Sequence, residues 1–316
     1  MMRPIGSIAF VAMLLALVLV PWLFPPALIQ FGTTTLLLAT LAQSWNIIGG
    51  YAGYASFGNS VFYGIGGYGT AIAMVQFGLP FGVGILVGAV LAVIFALLLG
   101  LPVLRLRGHY FAIATLALAE AMTGVVSNLD IAGRNIGLVL PLRKGDAFFY
   151  ELSLGLLALA TLTVFWISRS RFGFGLIAIR EDEDAAGVMG VNTTLYKALA
   201  FLLAGFFSAL AGGIHAYWIT FIDPLSAFDI TLNVMMIIMA IFGGAGTVFG
   251  PLVGAILLAS TSELLATEIT GMASLFFGLV IVVAVVFMPR GLTDLTRRFP
   301  GLGWRYFREN LRLHRL

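Results

Sequence analysis

Long apolar runs that carry almost no charge constrain this chain more than any other feature of its sequence. Only 10% of its residues are charged, against roughly 25% in ordinary soluble domains. A soluble chain of 316 residues with so few charges lacks the polar side chains to cover its surface. The runs are long enough to cross a hydrocarbon core of about 30 Å as helices. The sequence therefore predicts an all-α polytopic membrane protein, organised as a single membrane domain over residues 1–316.

The apolar runs predict about ten transmembrane segments. Their expected bounds are Ile5–Phe24, Ala27–Ile48, Asn59–Gly78, Phe81–Leu104, His109–Asn128, Ala147–Ile167, Ala198–Ile222, Ile230–Phe242, Gly250–Leu264 and Gly271–Met288. The first segment lacks a small-residue cleavage site, so we expect a retained helix rather than a signal peptide.

The distribution of basic residues predicts the orientation, because cytoplasmic loops carry an excess of Lys and Arg. With the N-terminus inside, fourteen of the seventeen Lys and Arg lie on the cytoplasmic side, including the tail 289–316. The same rule requires the chain to reverse near residues 243–247, since a single span over 230–264 would place that tail outside. In the tail, Trp304, Phe307 and Leu311 share one helical face and arginines the other, which predicts a helix on the anionic inner membrane surface and not a nucleic-acid site.

One polar stretch, residues 168–197, interrupts the apolar runs with four basic and four acidic residues. It must lie in water, and it predicts a cytoplasmic loop with a short helix that Gly190 ends in a left-handed conformation. The apolar positions of that helix are Leu176, Ile177, Ile179, Ala186 and Met189. Asn192 and Thr193 are expected to cap the next helix.

Small residues at 185–187, beside the acidic residues 181–184, would let the backbone of another protein approach closely. A plain solvated connector, the alternative, needs no ordered helix with a small-residue face. The residues therefore favour a docking surface in this loop.

Two glycine-rich segments, residues 49–58 and 243–250, are expected to break the helices, and the second resembles a shortened copy of the first. The pieces around the second break have 13 and 15 residues and reach only about 20 Å each. Broken helices must line a cavity or be buried in protein, because lipid cannot satisfy free backbone groups. The pathway candidates are Ser56, Asn59, Gly243, Gly244 and Gly246, with close helix packing as the alternative role of the glycines.

Ionisable residues inside the predicted spans are few, namely Glu120 and His215. Such residues mark ion or proton pathways, so Glu120 is a further pathway candidate, and a hydrogen bond to a neighbouring helix is the alternative. Neither a catalytic arrangement nor metal-ligand spacing is present, and the chain has no cysteine. A phosphate-binding loop needs Gly-Lys-Ser or Gly-Lys-Thr, which neither Lys144 nor Lys197 provides. The chain is therefore not expected to be an enzyme, nor to bind ATP or another cofactor itself.

Five segments, in order between about residues 43 and 290, resemble LivM-type permeases of branched-chain amino acid ABC importers. They are GYAGYASFGNSVFYGIGGYGTA (50–71), RLRGHYFAIATLALAE (105–120), AGRNIGL (132–138), SRFGFGLIAIREDEDAAGVMGVNTTLYKALAF (170–201) and IFGGAGTVFGPLVGAILL (241–258). The resemblance implies that residues 168–197 hold a coupling helix that sits in a cleft of an ATPase subunit. The implied contact residues are Arg180, Glu183, Asp184, Ala185, Ala186, Gly187 and Gly190. The sequence departs from the general EAA-x3-G pattern of such helices by having Asp184 in place of Glu.

The resemblance also implies partners: a sister permease subunit, two ATPase subunits that bind the ATP, and an extracytoplasmic solute-binding protein. It places the chain in the bacterial inner membrane with both termini cytoplasmic, and implies leucine, isoleucine, valine or a similar small solute as substrate. Close relatives in this class carry urea or short amides. An ion-coupled carrier that depends on Glu120 or His215, and a passive channel, are the alternatives from other classes.

Overall fold

The computed structural model describes residues 20–142 and 145–268. The predicted first span lies outside the described residues apart from its last few positions. The predicted last span, Gly271–Met288, and the basic tail 289–316 also lie outside them.

Helices form nearly all of the ordered structure in the described chain. They are α1 (Pro26–Trp45), α2 (Asn59–Val75), α3 (Phe81–Val103), α4 (His109–Ser127), α5 (Asp146–Arg169), α6 (Arg171–Glu181), α7 (Glu183–Val188), α8 (Thr193–Ile219), α9 (Pro224–Ala227), α10 (Ile230–Gly243) and α11 (Gly250–Glu268). A π-helical segment, Asn46–Tyr51, continues α1, and short 3-10 turns cover Asp130–Ala132 and Arg134–Ile136.

Five helical segments of the described chain are long and apolar enough to cross a membrane. They are Phe81–Gly100, His109–Ser127, Asp146–Arg169, Thr193–Ile219 and Pro224–Gly243. The prediction of an all-α membrane protein is confirmed at this level. One feature was not predicted, a two-stranded antiparallel pairing of β1 (Leu138–Val139) with β2 (Phe221–Ile222). It joins the loop before α5 to the end of α8.

Glycines bring α2, α3 and α8 into close contact at the centre of the fold. A Cβ on Gly66 would overlap the backbone of Ala209, and a Cβ on Gly212 would overlap the carbonyl oxygen of Tyr63. Gly88 of α3 lies against the carbonyl oxygen of Gly66 in the same way. These glycines therefore allow close packing of the three helices.

The second glycine-rich segment reverses the chain, as the distribution of basic residues predicted. Helices α10 and α11 form an antiparallel hairpin in which a Cβ on Gly254 would overlap the carbonyl oxygen of Met239. Between them, Gly244 and Gly246 take positive φ angles of 123° and 77°, which residues with a Cβ rarely adopt. The returning helix α11 has 19 residues and extends beyond its predicted end at Leu264.

Some further boundaries differ from the predictions. The π-helical segment carries the helix through Tyr51, so the first break begins at Ala52 and not at residue 49. The polar stretch forms two helices, α6 and α7, because Asp182 leaves helical geometry and its side chain caps α7. Helix α8 covers Thr193–Ile219. It begins five residues before the predicted start at Ala198 and ends three residues before the predicted end at Ile222.

Candidate functional site

Side-chain amides of α1 and its π-helical extension bind the loop between α10 and α11. The Asn46 Nδ2 donates to the Thr247 carbonyl oxygen at 2.9 Å, and its Oδ1 accepts from the Gly246 N–H at 2.7 Å. The Gln43 Nε2 donates to the Val248 carbonyl oxygen at 2.7 Å. These bonds satisfy backbone groups that the interrupted helix leaves free, which is the requirement for a broken helix at membrane depth.

Arg180, at the end of α6, contacts both glycine-rich breaks. Its Nη1 donates to the Gly50 carbonyl oxygen at 3.0 Å. Its side chain passes so close to Gly53, where φ is 77°, that an added Cβ would lie 2.5 Å from the Arg180 Cγ. A Cβ on Gly246 would lie 2.8 Å from the Arg180 Nη1. The polar stretch and the two breaks therefore meet at one guanidinium group.

The beginning of α7 is fixed by a buried lysine. Lys197 of α8 is 4% exposed, and its Nζ donates to the Glu183 Oε1 at 2.5 Å and to the Tyr54 hydroxyl and the Leu104 carbonyl oxygen at 3.1 Å each. The Tyr54 hydroxyl in turn donates to the second carboxylate oxygen of Glu183. All three ammonium protons thus have acceptors, which a buried cation requires.

An exposed arginine extends this cluster. The Arg107 Nη1 lies 3.0 Å from the Asp184 carboxylate, and its Nε lies 3.6 Å from that of Glu183. We call the group Tyr54, Arg107, Glu183, Asp184 and Lys197 the α7 anchor. It joins α7 to the first break, to the connection between α3 and α4, and to α8.

The surroundings of the α7 anchor set the charge states of two members. Burial raises the pKa of Glu183, but hydrogen bonds from Lys197 and Tyr54 and the charges of Lys197 and Arg107 outweigh it and hold the pKa below the ordinary value. Burial, and then the hydrogen bond and charge of Glu183, raise the pKa of the Tyr54 hydroxyl. Near neutral pH, Glu183 is therefore ionised and Tyr54 carries its proton.

Most of α7 outside its contacts with Lys197 and Tyr54 is exposed. We call Asp184, Ala185, Gly187, Val188 and Met189 the docking face, and Val188 and Met189 are 88% and 84% exposed. Gly190 has the predicted left-handed backbone with φ at 88°, and Asn192 caps α8 as predicted.

The structure separates two positions that were both expected on the apolar side of one helix. Ala186 is buried at 4% exposure, as a residue of that side should be, and its implied contact with an ATPase stays a prediction. Met189 points outward instead of joining the apolar side of a helix with Leu176 and Ile179, because the break at Asp182 reorients the second helix.

The predicted pathway residues of the first break differ in their surroundings. Ser56 serves the turn itself: its carbonyl oxygen accepts from the Trp45 Nε1 at 2.8 Å, and its Oγ accepts from the Gly58 N–H at 3.3 Å. Asn59 belongs to a buried polar cluster, with its Nδ2 3.4 Å from the Ser44 Oγ and 3.5 Å from the Ser208 Oγ. Its Oδ1 has no hydrogen-bond partner in the described chain.

The predicted pair of ionisable residues lines two different cavities. Glu120 is exposed and borders a cavity of about 460 Å³ together with Asp223 and Asp229. His215 borders a larger cavity of about 700 Å³, which shares Asp229 with the first.

Lys197 and Asn46 are functional candidates that the sequence did not reveal. The sequence places Lys197 in the water-exposed stretch, whereas the structure buries it within α8. The signal in the sequence was the position of Lys197 directly before a long apolar run, which could have indicated a lysine within the membrane helix. Asn46, like Gln43, is an amide within an apolar run, and such residues need partners when they are buried.

The described fold is that of an all-α membrane protein whose helices are broken where they meet a polar segment. A family model described as "Branched-chain amino acid transport system / permease component" matches residues 27–285, and the chain belongs to this family. The resemblance to LivM-type permeases is thereby confirmed, and the chain is a permease subunit of an ABC importer.

Relatives of the chain are themselves permease proteins. It is 28% identical over 319 residues to the high-affinity branched-chain amino acid transport system permease protein LivM of Escherichia coli (strain K12), across 91% of this chain and 75% of LivM. It is 33% identical over 140 residues to LivH of the same organism, across 43% and 44%. It is 31% identical over 195 residues to the putative glucose ABC transporter permease protein TsgC13 of Haloferax volcanii, across 57% and 58%. No solved structure matches the chain.

Proposed function

We propose that this chain forms part of the translocation pathway for branched-chain or similar aliphatic amino acids, and that separate ATPase subunits drive it through α6 and α7. The observation that carries the proposal is the α7 anchor together with Arg180. Through them, a segment with an exposed docking face is hydrogen-bonded to the first glycine-rich segment and lies against Gly246 of the second.

The docking face is suited to contact with another protein. Val188 and Met189 expose apolar surface at the tip of a polar segment, and exposed apolar groups of this kind mark interaction sites. A Cβ added to Gly187 would meet nothing within 4 Å, so a partner has free access to the backbone there. The residues proposed to couple this subunit to the ATPase are Arg180, Glu183, Asp184, Ala185, Gly187 and Gly190. Among them, Arg180 and Glu183 would act through their bonds to the rest of this subunit.

ATP binding to the partner would displace α6 and α7, and the bonds from Arg180 and Lys197 would carry this displacement to the two breaks. Asn46 links the breaks to each other, so both would change together. Gly243, Gly244 and Gly246 supply the backbone freedom for this change, and Asn59 lies beside the path. The transition would re-aim the pathway between the two sides of the membrane.

The proposed membrane arrangement has about ten segments with both termini in the cytoplasm of a bacterial cell, in the inner membrane. The hairpin α10–α11 supports it, because this reversal gives the chain the parity that places the basic tail inside. Residues 168–197 would then be the cytoplasmic coupling loop and the tail 289–316 a lipid contact. A sister permease, two ATPase subunits and an extracytoplasmic solute-binding protein would complete the importer.

The names of LivM and LivH support branched-chain amino acids as substrate, while the name of TsgC13 shows that permeases similar to this chain serve other solutes. Urea or short amides are the alternative. An ion-coupled carrier would instead transport without ATPase subunits and depend on Glu120 or His215.

The proposal is tested by placing a bulky side chain on the docking face. Gly187→Trp should abolish both leucine uptake and co-purification of the ATPase subunits, while the permease still accumulates. Gly82→Trp is the matched control, since a Cβ at Gly82 also meets nothing within 4 Å and Gly82 lies at the opposite end of α3 from Arg107. Normal ATPase retention by Gly187→Trp would refute the proposed docking.

A further inference from the structure

The larger cavity, of about 700 Å³, lies between α1, the end of α8, α10 and α11. A volume of this order accommodates a small molecule. The proposed orientation places its open end on the outer side, because Asp229 at the start of α10 and Glu263 on α11 border it. Its deepest wall includes Tyr63 and Met239, which are 7% and 1% exposed.

The charged residues that border this cavity in the described chain are both acidic. Asp229 and Glu263 contribute two carboxylates, and no lysine or arginine is among the described lining residues. Hydroxyl groups of Thr34, Ser226 and Ser262 add further acceptors and donors. A cavity lined by one sign of charge concentrates ligands of the other sign, so this one favours ammonium groups and disfavours anions.

One wall consists of three adjacent rings. The ring centroids of Tyr63 and His215 are 5.7 Å apart, and those of His215 and Trp218 are 6.0 Å apart. Faces of tyrosine and tryptophan attract ammonium ions. The Trp218 Nε1 is buried without a hydrogen-bond partner in the described chain, and a ligand carboxylate would take this donor once the ring turns toward the cavity.

Part of the lining is apolar. Leu38, Met235 and Met239 border the cavity there, and methionine side chains adapt to ligands of irregular shape. An occupant therefore needs an aliphatic part as well as an ammonium group. A metal ion fits less well, because no group of three His, Asp or Glu residues in the described chain could hold one.

We infer that this cavity binds a zwitterionic aliphatic amino acid within this subunit, with the ammonium group at Asp229 and Glu263, the carboxylate at the Trp218 Nε1 and the side chain at Leu38, Met235 and Met239. The inference rests on the proposed import function, for which it supplies a site. Tyr63 lies one helical turn from Asn59 on the same face of α2. The cavity therefore leads toward the buried polar cluster at Asn59, whose Oδ1 is unpartnered.

The first experiment measures ligand binding to the full-length chain in lipid nanodiscs by tryptophan fluorescence. L-leucine should change the fluorescence of the wild type, and Trp218→Phe should lose that change. Asp229→Asn combined with Glu263→Gln should raise the half-saturating leucine concentration about tenfold, the effect of one lost interaction of moderate strength. Asp229→Asn keeps the helix cap that Asp229 provides to the Thr231 N–H, because asparagine caps equally well.

Asp130→Asn is the matched control, since Asp130 is exposed and does not border the cavity. It should bind leucine as the wild type does. A second comparison uses 4-methylpentanoate, which keeps the aliphatic part and the carboxylate of leucine but lacks the ammonium group, and which should not compete. Competition by this anion, or a leucine midpoint in the double variant within twofold of the wild type, would overturn the inference.

Uptake by the complete importer separates this inference from the proposed function. Wild-type uptake of leucine with an unchanged Michaelis constant in the double variant would refute the cavity site and leave the import function standing. A complete importer that takes up no aliphatic amino acid would refute the proposed function itself. Leucine binding to the isolated chain with the stated variant effects would support the site even if the complete importer takes up no aliphatic amino acid.

Discussion

The Lys197 ammonium and the Glu183 carboxylate lie 2.5 Å apart, with side chains only 5% and 13% exposed, at the point where α7 begins. One residue belongs to a long apolar helix and the other to the segment with the docking face. A buried pair of this kind contributes little net stability when intact, but the loss of one partner leaves an uncompensated buried charge.

Glu183→Gln should therefore destabilise the protein by about 3–5 kcal/mol. The thermal unfolding midpoint of the purified permease in detergent measures the effect. Glu183→Gln combined with Lys197→Met should recover part of the loss, because no unpaired charge remains. A double variant less stable than Glu183→Gln alone would show that the pair is not the source of the effect.

The pH dependence of stability should reveal the same carboxylate. The folded pKa of Glu183 lies below its ordinary value of 4.5, so its ionised form stabilises the fold above that value, and this contribution disappears as pH falls through the folded pKa. The unfolding midpoint of the wild type should therefore fall on acidification below about pH 4.5 by more than that of Glu183→Gln. Equal slopes for the two proteins in this range would contradict the assignment.

Asn46→Leu should uncouple the two helix breaks. The substitution removes both hydrogen bonds to the α10–α11 loop and leaves the Gly246 N–H and Thr247 carbonyl groups without their partner, at a cost of about 1–3 kcal/mol. Leucine uptake should fall at least tenfold while the ATPase subunits still co-purify. Asn128→Leu is the control, because its amide bonds only the neighbouring Gly124 carbonyl at an exposed site. Wild-type uptake by Asn46→Leu would exclude a role for this link.

Gly66→Ala should weaken the packing of α2 against α8. The new Cβ would overlap the Ala209 backbone, and overpacking of this kind costs about 1–3 kcal/mol. A lower unfolding midpoint and reduced accumulation in membranes are expected. Gly124→Ala, where the Cβ meets nothing within 4 Å, should be neutral or slightly stabilising, as alanine favours helix. Equal behaviour of the two variants would argue against tight packing at Gly66.

The fold class and the reversal near residue 244 could be predicted because hydrocarbon imposes strict rules on apolar length and on the placement of positive charge. The break at Asp182 could not, since the apolar spacing of Leu176, Ile179, Ala186 and Met189 fits one helix as well as two. Only the capping by the Asp182 side chain decides between them.

The convergence of Lys197, Tyr54 and Glu183 was equally hidden. Tyr54 lies 129 residues before Glu183 in the sequence, and each of the three is unremarkable in its own segment. Their proximity depends on how the first break, α7 and α8 pack, which periodicity does not specify. The two breaks, by contrast, were both visible as glycine-rich segments, and only their contact through Asn46 and Arg180 required the structure.

Arg180 touches the carbonyl oxygen of Gly50 and lies against Gly53 and Gly246. If only one break rearranged, the backbone of that break would move away from the Arg180 side chain, while the backbone of the other break stayed in contact with it. Intermediates with one break switched and one unswitched should therefore be sparsely populated. Opening and closing of this subunit would then proceed as a single all-or-none step, which leaves little opportunity for solute to leak through a half-switched pathway.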